Sequence, residues 1–261
     1  MNVVFEGGGI KGLAYIGALR YLEDRGIRIK KAAGTSVGAI IASLVASGYR
    51  SGELEQIIAG LDENVLWPKK KKNKLGNTAY VIKNKAIYSI KPLENIIRDL
   101  LSRAGIKTFR DLKVGNNYKL KIVVTSVDKK KMIILPEGIS EFGIDPDSLD
   151  VASAVCMSAS LPFVYPPYVY HGHRFVDGGI MENFPIWVFN ESALGFRVNK
   201  DTGLSAKIFK TRASNYQNST VIYIDATGYK ATDFRKGMKE KYVLYNRGYY
   251  YTKMYFDNRA W

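Results

Sequence analysis

The sequence predicts an α/β fold with a parallel sheet and helices on both faces. Short apolar strands alternate with helical segments from the start of the chain, and this strand–helix–strand–helix order is typical of parallel sheets. The chain has 261 residues, 46% of them apolar, and shows no low-complexity stretch. Because this is enough for one large globular domain, we expect residues 1–261 to form a single domain.

The elements follow one another in a clear order. The first strand runs from Asn2 to Glu6 and leads through glycines into a helix that ends at Gly26. A short strand from Ile29 to Ala33 precedes a helix from Val37 to Ser47, which is apolar almost all round and should be buried. The remaining predicted elements are a short helix from Ser51, a helix from Pro92 to Ala104, two strands within residues 118–135 with a turn at Asp128 to Lys131, a buried helix from Asp147 to Ser158, a hairpin within residues 168–179, a core strand from Val221 to Asp225 and a helical tail over about residues 233–256.

The charge balance is strongly basic. There are 39 Lys and Arg residues against 24 Asp and Glu, a net charge of +15. Such a field favours an anionic partner, either a phospholipid surface or nucleic acid. The single cysteine, Cys156, excludes an intrachain disulfide, and there is no signal-peptide pattern or run of 18 apolar residues. We expect a cytoplasmic protein that contacts membranes peripherally; export without a cleaved signal stays open.

A basic insertion interrupts the pattern at about residues 65–90. Lys69, Lys70, Lys71 and Lys72 follow Trp67 in a stretch rich in helix and strand breakers. A tryptophan beside lysines suits a membrane interface, where the indole lies among head groups and the ammonium groups meet phosphates. The alternative interpretation is an ordinary solvated loop.

Replacing these four lysines with glutamine should weaken binding to anionic vesicles strongly at low salt, since each lysine near such a surface contributes ~1 kcal/mol. The loss should shrink as salt is raised, because screening already suppresses exposed charges. Vesicle co-sedimentation at two salt concentrations measures this. Equal binding by wild type and variant at low salt would identify a solvated loop.

The glycine-rich stretch Gly7-Gly8-Gly9-Ile10-Lys11-Gly12 matches G-x-G-x-x-G, the sequence pattern of a dinucleotide-binding turn. Such a fold needs an acidic residue at the end of the second strand, and the acidic residue at about the right offset, Asp24, lies in the preceding helix. A nucleotide-hydrolase loop needs Gly-Lys-Ser/Thr, whereas Leu13 follows Gly12. Both phosphate-binding interpretations therefore lack half of their pattern.

A serine stands at the end of the second predicted strand, in Gly34-Thr35-Ser36-Val37-Gly38. This G-x-S-x-G pattern between a strand and a helix is typical of a nucleophile elbow, although a tight turn with a serine N-cap is the alternative. Adjacent parallel strands place their loops at one sheet edge. Gly7, Gly8 and Gly9 can then supply N–H donors to an oxyanion, with Lys11 adding positive charge at the rim.

The proton acceptor for such a serine has two candidate types. The two histidines of the chain, His171 and His173, lie in a predicted hairpin turn, and no histidine follows them. Asp177-Gly178-Gly179 follows an apolar strand, and an aspartate held there can take a proton from a serine directly. Taken alone, Asp-Gly-Gly usually marks a turn.

Together these motifs resemble the patatin-like phospholipase family over residues 2 to about 190. The resemblance rests on Gly7–Gly12, Gly34–Gly38 and Asp177–Gly179, with accessory segments at Ala159–Pro162 and Asn183–Pro185. It implies a three-layer α/β/α fold with a mainly parallel central sheet. It also implies a catalytic dyad of Ser36 as nucleophile and Asp177 as proton acceptor, acting on acyl esters of phospholipids or other lipids without a metal.

The leading functional expectation is therefore a lipid acyl hydrolase, similar to phospholipase A or lysophospholipase, that works through an acyl-enzyme. We expect a lipid ester substrate, no cofactor and no nucleic acid partner. Two alternatives stay open: a non-catalytic basic protein that docks on an anionic membrane or nucleic acid, and a soluble-ester hydrolase or acyltransferase with the same dyad.

Overall fold

A central, mainly parallel sheet organises the fold. The computed structural model describes residues 1–67, 86–198 and 218–258. The strands are β1 (Asn2–Phe5), β2 (Lys31–Thr35), β3 (Lys113–Val114), β4 (Asn117–Tyr118), β5 (Leu120–Ser126), β6 (Lys131–Leu135), β7 (Tyr168–Tyr170), β8 (His173–Asp177), β9 (Ala193–Val198) and β10 (Thr220–Ile224). The helices are α1 (Ala14–Asp24), α2 (Val37–Ala46), α3 (Ser51–Gly60), α4 (Glu63–Leu66), α5 (Lys91–Arg103), α6 (Val151–Ala159), α7 (Phe234–Lys239) and α8 (Lys241–Asp257).

The strand order of the sheet is β10-β9-β1-β2-β5-β8-β7, and β6 also pairs with β5. The pairs from β10 to β5 are all parallel, whereas β6, β8 and β7 are joined in antiparallel pairs. A short separate hairpin joins β3 and β4. The mainly parallel sheet and its flanking helices confirm the predicted fold class.

The sheet is buried on both faces, as the alternation of β1 shows. Val3 and Phe5 belong to the large core cluster that includes residues of α1, α2 and α6, whereas Val4 packs in a second cluster with Phe184 and Ile186. Successive strand residues point to opposite faces, so these two clusters lie on the two sides of the sheet. This double burial explains why Val3, Val4 and Phe5 of β1 form a continuous apolar run.

Helix α1 packs against α8 at very short range. A Cβ on Gly17 would lie 1.9 Å from the carbonyl oxygen of Tyr245, and one on Gly248 would lie 1.7 Å from that of Ala14. The two backbones therefore touch, and only glycine fits at both positions. Within the described parts of the chain, no helix has the length and apolar character that crossing a membrane requires.

Several elements differ from the expectations: the β3–β4 hairpin and α4 were not predicted, and the helix predicted from Asp147 begins at Val151. Strand β9 was not predicted, because its run Ala-Leu-Gly-Phe-Arg-Val carries an arginine and a glycine where a buried strand should be apolar. Arg197 is nevertheless buried, since its guanidinium pairs with the Glu6 carboxylate at 2.6 Å. The predicted single tail helix is divided into α7 and α8 at Glu240.

Candidate active site

The register of the sheet brings Ser36 and Asp177 together. Strand β2 runs parallel to β5 and pairs Thr35 with Val123, so Ser36 follows directly beyond this pair. Strand β8 runs antiparallel to β5 and pairs Asp177 with Val124, the next residue along β5. Ser36 and Asp177, which are 141 positions apart in the sequence, thus meet beside β5 at the carboxyl end of β2.

Ser36 lies at a strained turn between β2 and α2. Its backbone has φ 55° and ψ −126°, a left-handed region that non-glycine residues rarely adopt. Glycines make room for this turn: a Cβ on Gly34 would lie 2.3 Å from the Gly38 carbonyl oxygen, and one on Gly38 would lie 2.3 Å from that of Phe5. Ser36 immediately precedes α2, so the positive end of that helix adjoins the hydroxyl.

The Asp177 carboxyl group is completely buried. Oδ1 accepts a hydrogen bond from the backbone N–H of Gly179 at 2.8 Å, while Oδ2 has no partner of regular geometry among the described residues. Burial raises the pKa of Asp177 to about 6, against the opposing effects of hydrogen bonding with the Ser36 hydroxyl and with the Gly179 N–H. The Asp177 carboxyl is thus ionised at neutral pH, and its raised pKa makes it a better proton acceptor than an ordinary aspartate.

Ser158 on α6 is a positioning residue that the sequence analysis missed. Its Oγ accepts a hydrogen bond from the backbone N–H of Ser36 at 2.9 Å and donates one to the carbonyl oxygen of Val123 at 2.6 Å. The Ser158 hydroxyl therefore ties the turn at Ser36 to β5. A serine within a helix whose every residue is buried was the available signal, because a buried hydroxyl needs hydrogen-bond partners.

The glycine loop packs directly against the serine, since a Cβ on Gly7 would lie 3.3 Å from the Cβ of Ser36. The Gly7 N–H already donates to the Asn183 carbonyl oxygen at 3.0 Å, and Asn183 Nδ2 donates to the Gly7 carbonyl oxygen at 2.9 Å. This corrects the expectation that Gly7 serves as an oxyanion donor; its role is to anchor the loop.

Three other backbone N–H groups belong to residues that follow Gly7 or Ser36 directly in the chain. Those of Gly8, Gly9 and Val37 have no hydrogen-bond partner within the part of the chain that the structure describes. Gly8 and Gly9 were predicted as oxyanion donors, whereas Val37 was not. As the first residue of α2, Val37 has an N–H that cannot be satisfied within the helix.

Lys11 does not lie at the rim of the loop, contrary to the expectation. Its side chain is buried, with 3% of the residue exposed, and its backbone N–H donates to the Gly8 carbonyl oxygen at 3.2 Å. The charge of Lys11 acts on buried Glu6 and helps to lower the pKa of that carboxyl, which burial raises. Lys11 is therefore a buried residue of the glycine loop.

Trp67 is also an interior residue. Its indole stacks on the Phe234 ring at a centroid distance of 4.3 Å, and Nε1 donates to the Tyr165 hydroxyl at 3.0 Å. The ring is therefore engaged by protein, which corrects the expectation that it lies among lipid head groups. The other expected membrane contacts, Lys69, Lys70, Lys71 and Lys72, lie outside the described residues.

The two histidines lie at the far end of the β7–β8 hairpin. His171 occupies the turn with φ 46°, and His173 Nδ1 lies 4.0 Å from an Asp128 carboxylate oxygen. His173 precedes Asp177 by four residues of extended strand, a distance of about 14 Å. Neither histidine is placed to act on Ser36.

Comparison with known proteins gives consistent matches. The family model described as patatin-like phospholipase matches residues 3–190. The uncharacterized protein YqhO of Bacillus subtilis is 31% identical over 97% of this chain and 96% of its own length. A protein of invertebrate iridescent virus 6, named as a probable lipid hydrolase, is 24% identical over 95% of this chain and 86% of its own.

A solved structure shares the fold. VipD from Legionella pneumophila superposes with a TM-score of 0.58 at 18% identity, covering 98% of this chain. The chain spans 66% of the length of VipD, and at this identity the likeness concerns the fold. The family match, by contrast, contains all three glycine-bearing motifs of the site. The chain belongs to the patatin-like phospholipase family.

Proposed function

We propose that the protein is a lipid acyl hydrolase that cleaves fatty-acyl esters through a dyad of Ser36 and Asp177 and an acyl-enzyme. The observation that carries the proposal is the buried Asp177 carboxyl group, held by Gly179 at the strand end beside Ser36. Membership of the family supports a lipid-ester substrate, as does the viral relative that is named as a probable lipid hydrolase.

In the first step, Ser36 Oγ attacks the ester carbonyl carbon and its proton passes to Asp177. Oδ2 is the oxygen available for this proton, because Oδ1 is engaged by Gly179. A carboxyl with a pKa of about 6 is ionised at neutral pH and is a stronger base than an ordinary aspartate. Asp177 then gives the proton to the departing alkoxide, and the acyl group remains on Ser36.

The negative charge on the carbonyl oxygen of the tetrahedral intermediate requires preorganised donors. The N–H groups of Gly8, Gly9 and Val37 are the donors that we assign to it, since they have no partner within the described residues. The positive end of α2 adds a favourable field at the same place.

Deacylation repeats the chemistry with water as the nucleophile. Asp177 accepts a proton from the attacking water, and the second tetrahedral intermediate collapses to release the fatty acid. Ser36 Oγ leaves as the alkoxide and regains its proton from Asp177. The same carboxyl group thus serves as base and acid in both halves of the reaction.

The excess positive charge supports a peripheral contact with anionic membranes, from which such an enzyme would draw its substrate. The net charge of +15 lies well above the ~2–8 that suffices for solubility of a small domain. A positive surface raises the local concentration of anionic lipid and therefore the rate of encounter.

Incubation with mixed phospholipid vesicles tests the proposed function. Wild-type protein should release free fatty acid and lysophospholipid in equal amounts, as measured by lipid mass spectrometry, and Ser36→Ala should release neither. Ser192→Ala, which changes an exposed serine, is the matched control and should behave as wild type. Vesicle binding without release by any of the three proteins would favour a non-catalytic membrane protein instead.

A further inference from the structure

An apolar cavity of about 160 Å³ lies against the glycine loop and the first turn of α2. Gly9 of the glycine loop and Val37, the residue after Ser36, both line it, so one end of the cavity adjoins the reacting centre. The lining continues along α2 with Ile41 and Leu44, and α3 and α5 supply further lining residues.

The lining presents hydrocarbon throughout. The described residues that line the cavity are all glycine, alanine, aliphatic, methionine or aromatic. The two polar groups among its side chains, the Trp67 indole N–H and the Tyr165 hydroxyl, are hydrogen-bonded to each other at 3.0 Å. A space of this kind offers nothing to water or to a polar head group, and it suits a hydrocarbon chain.

The dimensions limit the length of that chain. An engineered cavity of about 150 Å³ in another protein holds benzene, a molecule of six carbon atoms. Val37 and Leu44 are separated by seven residues, or about 10 Å along the helix. At roughly 1.3 Å per carbon for an extended zigzag of ordinary single bonds, this length accommodates about eight carbon atoms. Volume and length thus agree on about six to eight carbons.

We propose that this cavity binds the acyl chain of the scissile ester and makes the protein selective for acyl groups of about six to eight carbons. The inference rests on the proposed function, because the cavity is a subsite of the same reaction. Longer chains have to displace wall residues or leave part of their length outside, and shorter chains leave apolar wall unfilled.

A series of p-nitrophenyl esters from acetate to palmitate, kept below their aggregation concentrations, tests the selectivity. We expect kcat/KM to rise two- to fourfold with each added methylene, since burying one CH₂ contributes about 0.8 kcal/mol, or about fourfold. The rise should end at about eight carbons. Equal kcat/KM along the whole series, or a continued rise to palmitate, would overturn the inference.

Two opposite substitutions at Leu44 make the test independent of simple loss of stability. Leu44→Phe shortens the cavity, so it should lower the octanoate-to-acetate ratio of kcat/KM about tenfold and move the optimum to shorter chains. Leu44→Ala lengthens it and should move the optimum to longer chains. Val114→Phe, at a residue that is 58% exposed, is the matched control and should leave the ratio at its wild-type value. An octanoate-to-acetate ratio that stays at its wild-type value in both Leu44 variants would contradict the assignment of this cavity to the acyl chain.

Binding of free fatty acids to Ser36→Ala separates this inference from the proposed function. Calorimetry should detect octanoate binding at least tenfold tighter than acetate binding, and Leu44→Phe in the same background should abolish the difference. If Ser36→Ala shows this preference while the wild type hydrolyses no ester, the cavity assignment stands and the proposed function fails. If esters are hydrolysed but octanoate shows no preference, the cavity assignment fails alone.

Discussion

Replacing Asp177 with asparagine should abolish ester hydrolysis as completely as Ser36→Ala does. Removal of a general base costs about 10²–10⁴-fold in rate, and members of one catalytic unit are not additive, so the double variant should lose no more than either single variant. Steady-state kinetics with a soluble ester measures this. His171→Ala combined with His173→Ala should keep most of the activity, and near-complete loss there would point to a triad.

The same substitution should make the protein more stable at alkaline pH. The pKa of Asp177 is raised from its ordinary 3.8 to about 6 by burial, so the folded protein holds this proton between pH 4 and 6 while the unfolded chain has lost it. Stability therefore falls as pH rises through this window, by up to about 3 kcal/mol above pH 6. The asparagine side chain of the Asp177→Asn variant carries no charge at any pH and avoids this cost.

Thermal unfolding of both proteins at pH 4 and pH 8 checks the sign. Asp177→Asn should unfold at a higher temperature than wild type at pH 8, and the difference should disappear at pH 4. Asp128→Asn is the control, because Arg174 lowers the pKa of that exposed carboxyl and its neutralisation should give no stabilisation. A less stable Asp177→Asn at pH 8 would contradict the account of its burial.

The wild-type kcat/KM should fall tenfold per pH unit below about pH 6, because Asp177 is protonated there and cannot accept the proton of Ser36.

Replacing Gly9 with alanine should reduce turnover by about 10²–10³-fold, the usual cost of losing an oxyanion donor. Gly9 has φ 54°, and a Cβ there would lie 2.1 Å from the Ala231 carbonyl oxygen. The loop therefore has to move, and its N–H groups no longer point at the position of the oxyanion. Kinetics with a soluble ester and thermal unfolding should be measured together.

Gly26→Ala is the matched control for this change. Gly26 also has a positive φ, 68°, but no other described residue has an atom within 4 Å of its added Cβ. Gly26 follows α1 and is separated from the glycine loop by that helix. Both variants should lose some stability, whereas Gly9→Ala alone should lose turnover. Similar turnover in the two variants would show that the loop does not hold the oxyanion.

The sequence predicted the parts of the site that local rules determine. A strand, a G-x-S-x-G turn and a buried helix are neighbours in the chain, so the position of Ser36 at a sheet edge could be inferred directly. Asp177 required a choice between a carboxylate and the two histidines. The structure places Asp177 beside Val124, the neighbour of Val123 on β5, and thereby next to the serine turn, a relationship that only the sheet register fixes.

The features that could not be predicted depend on contacts between distant segments. Ser158 acts on Ser36 from another helix, and Asn183 occupies the N–H of Gly7 from beyond β8. Lysine is usually a surface residue, yet Lys11 is buried. Arg197 is likewise a charged residue that is buried, within β9, where it pairs with Glu6. Trp67 likewise stacks on Phe234, 167 positions later by residue number. Periodicity and local motifs carry no information about such partners.

Covalent trapping of the nucleophile tests the central claim most directly. Wild-type protein treated with a fluorophosphonate probe should gain one adduct, and mass spectrometry of the digested protein should locate it on Ser36. Ser36→Ala should gain none, and the adduct should form slowly in Asp177→Asn, because the serine there lacks its base. An adduct on another residue, or equal labelling of wild type and Ser36→Ala, would contradict the assignment of Ser36 as the nucleophile.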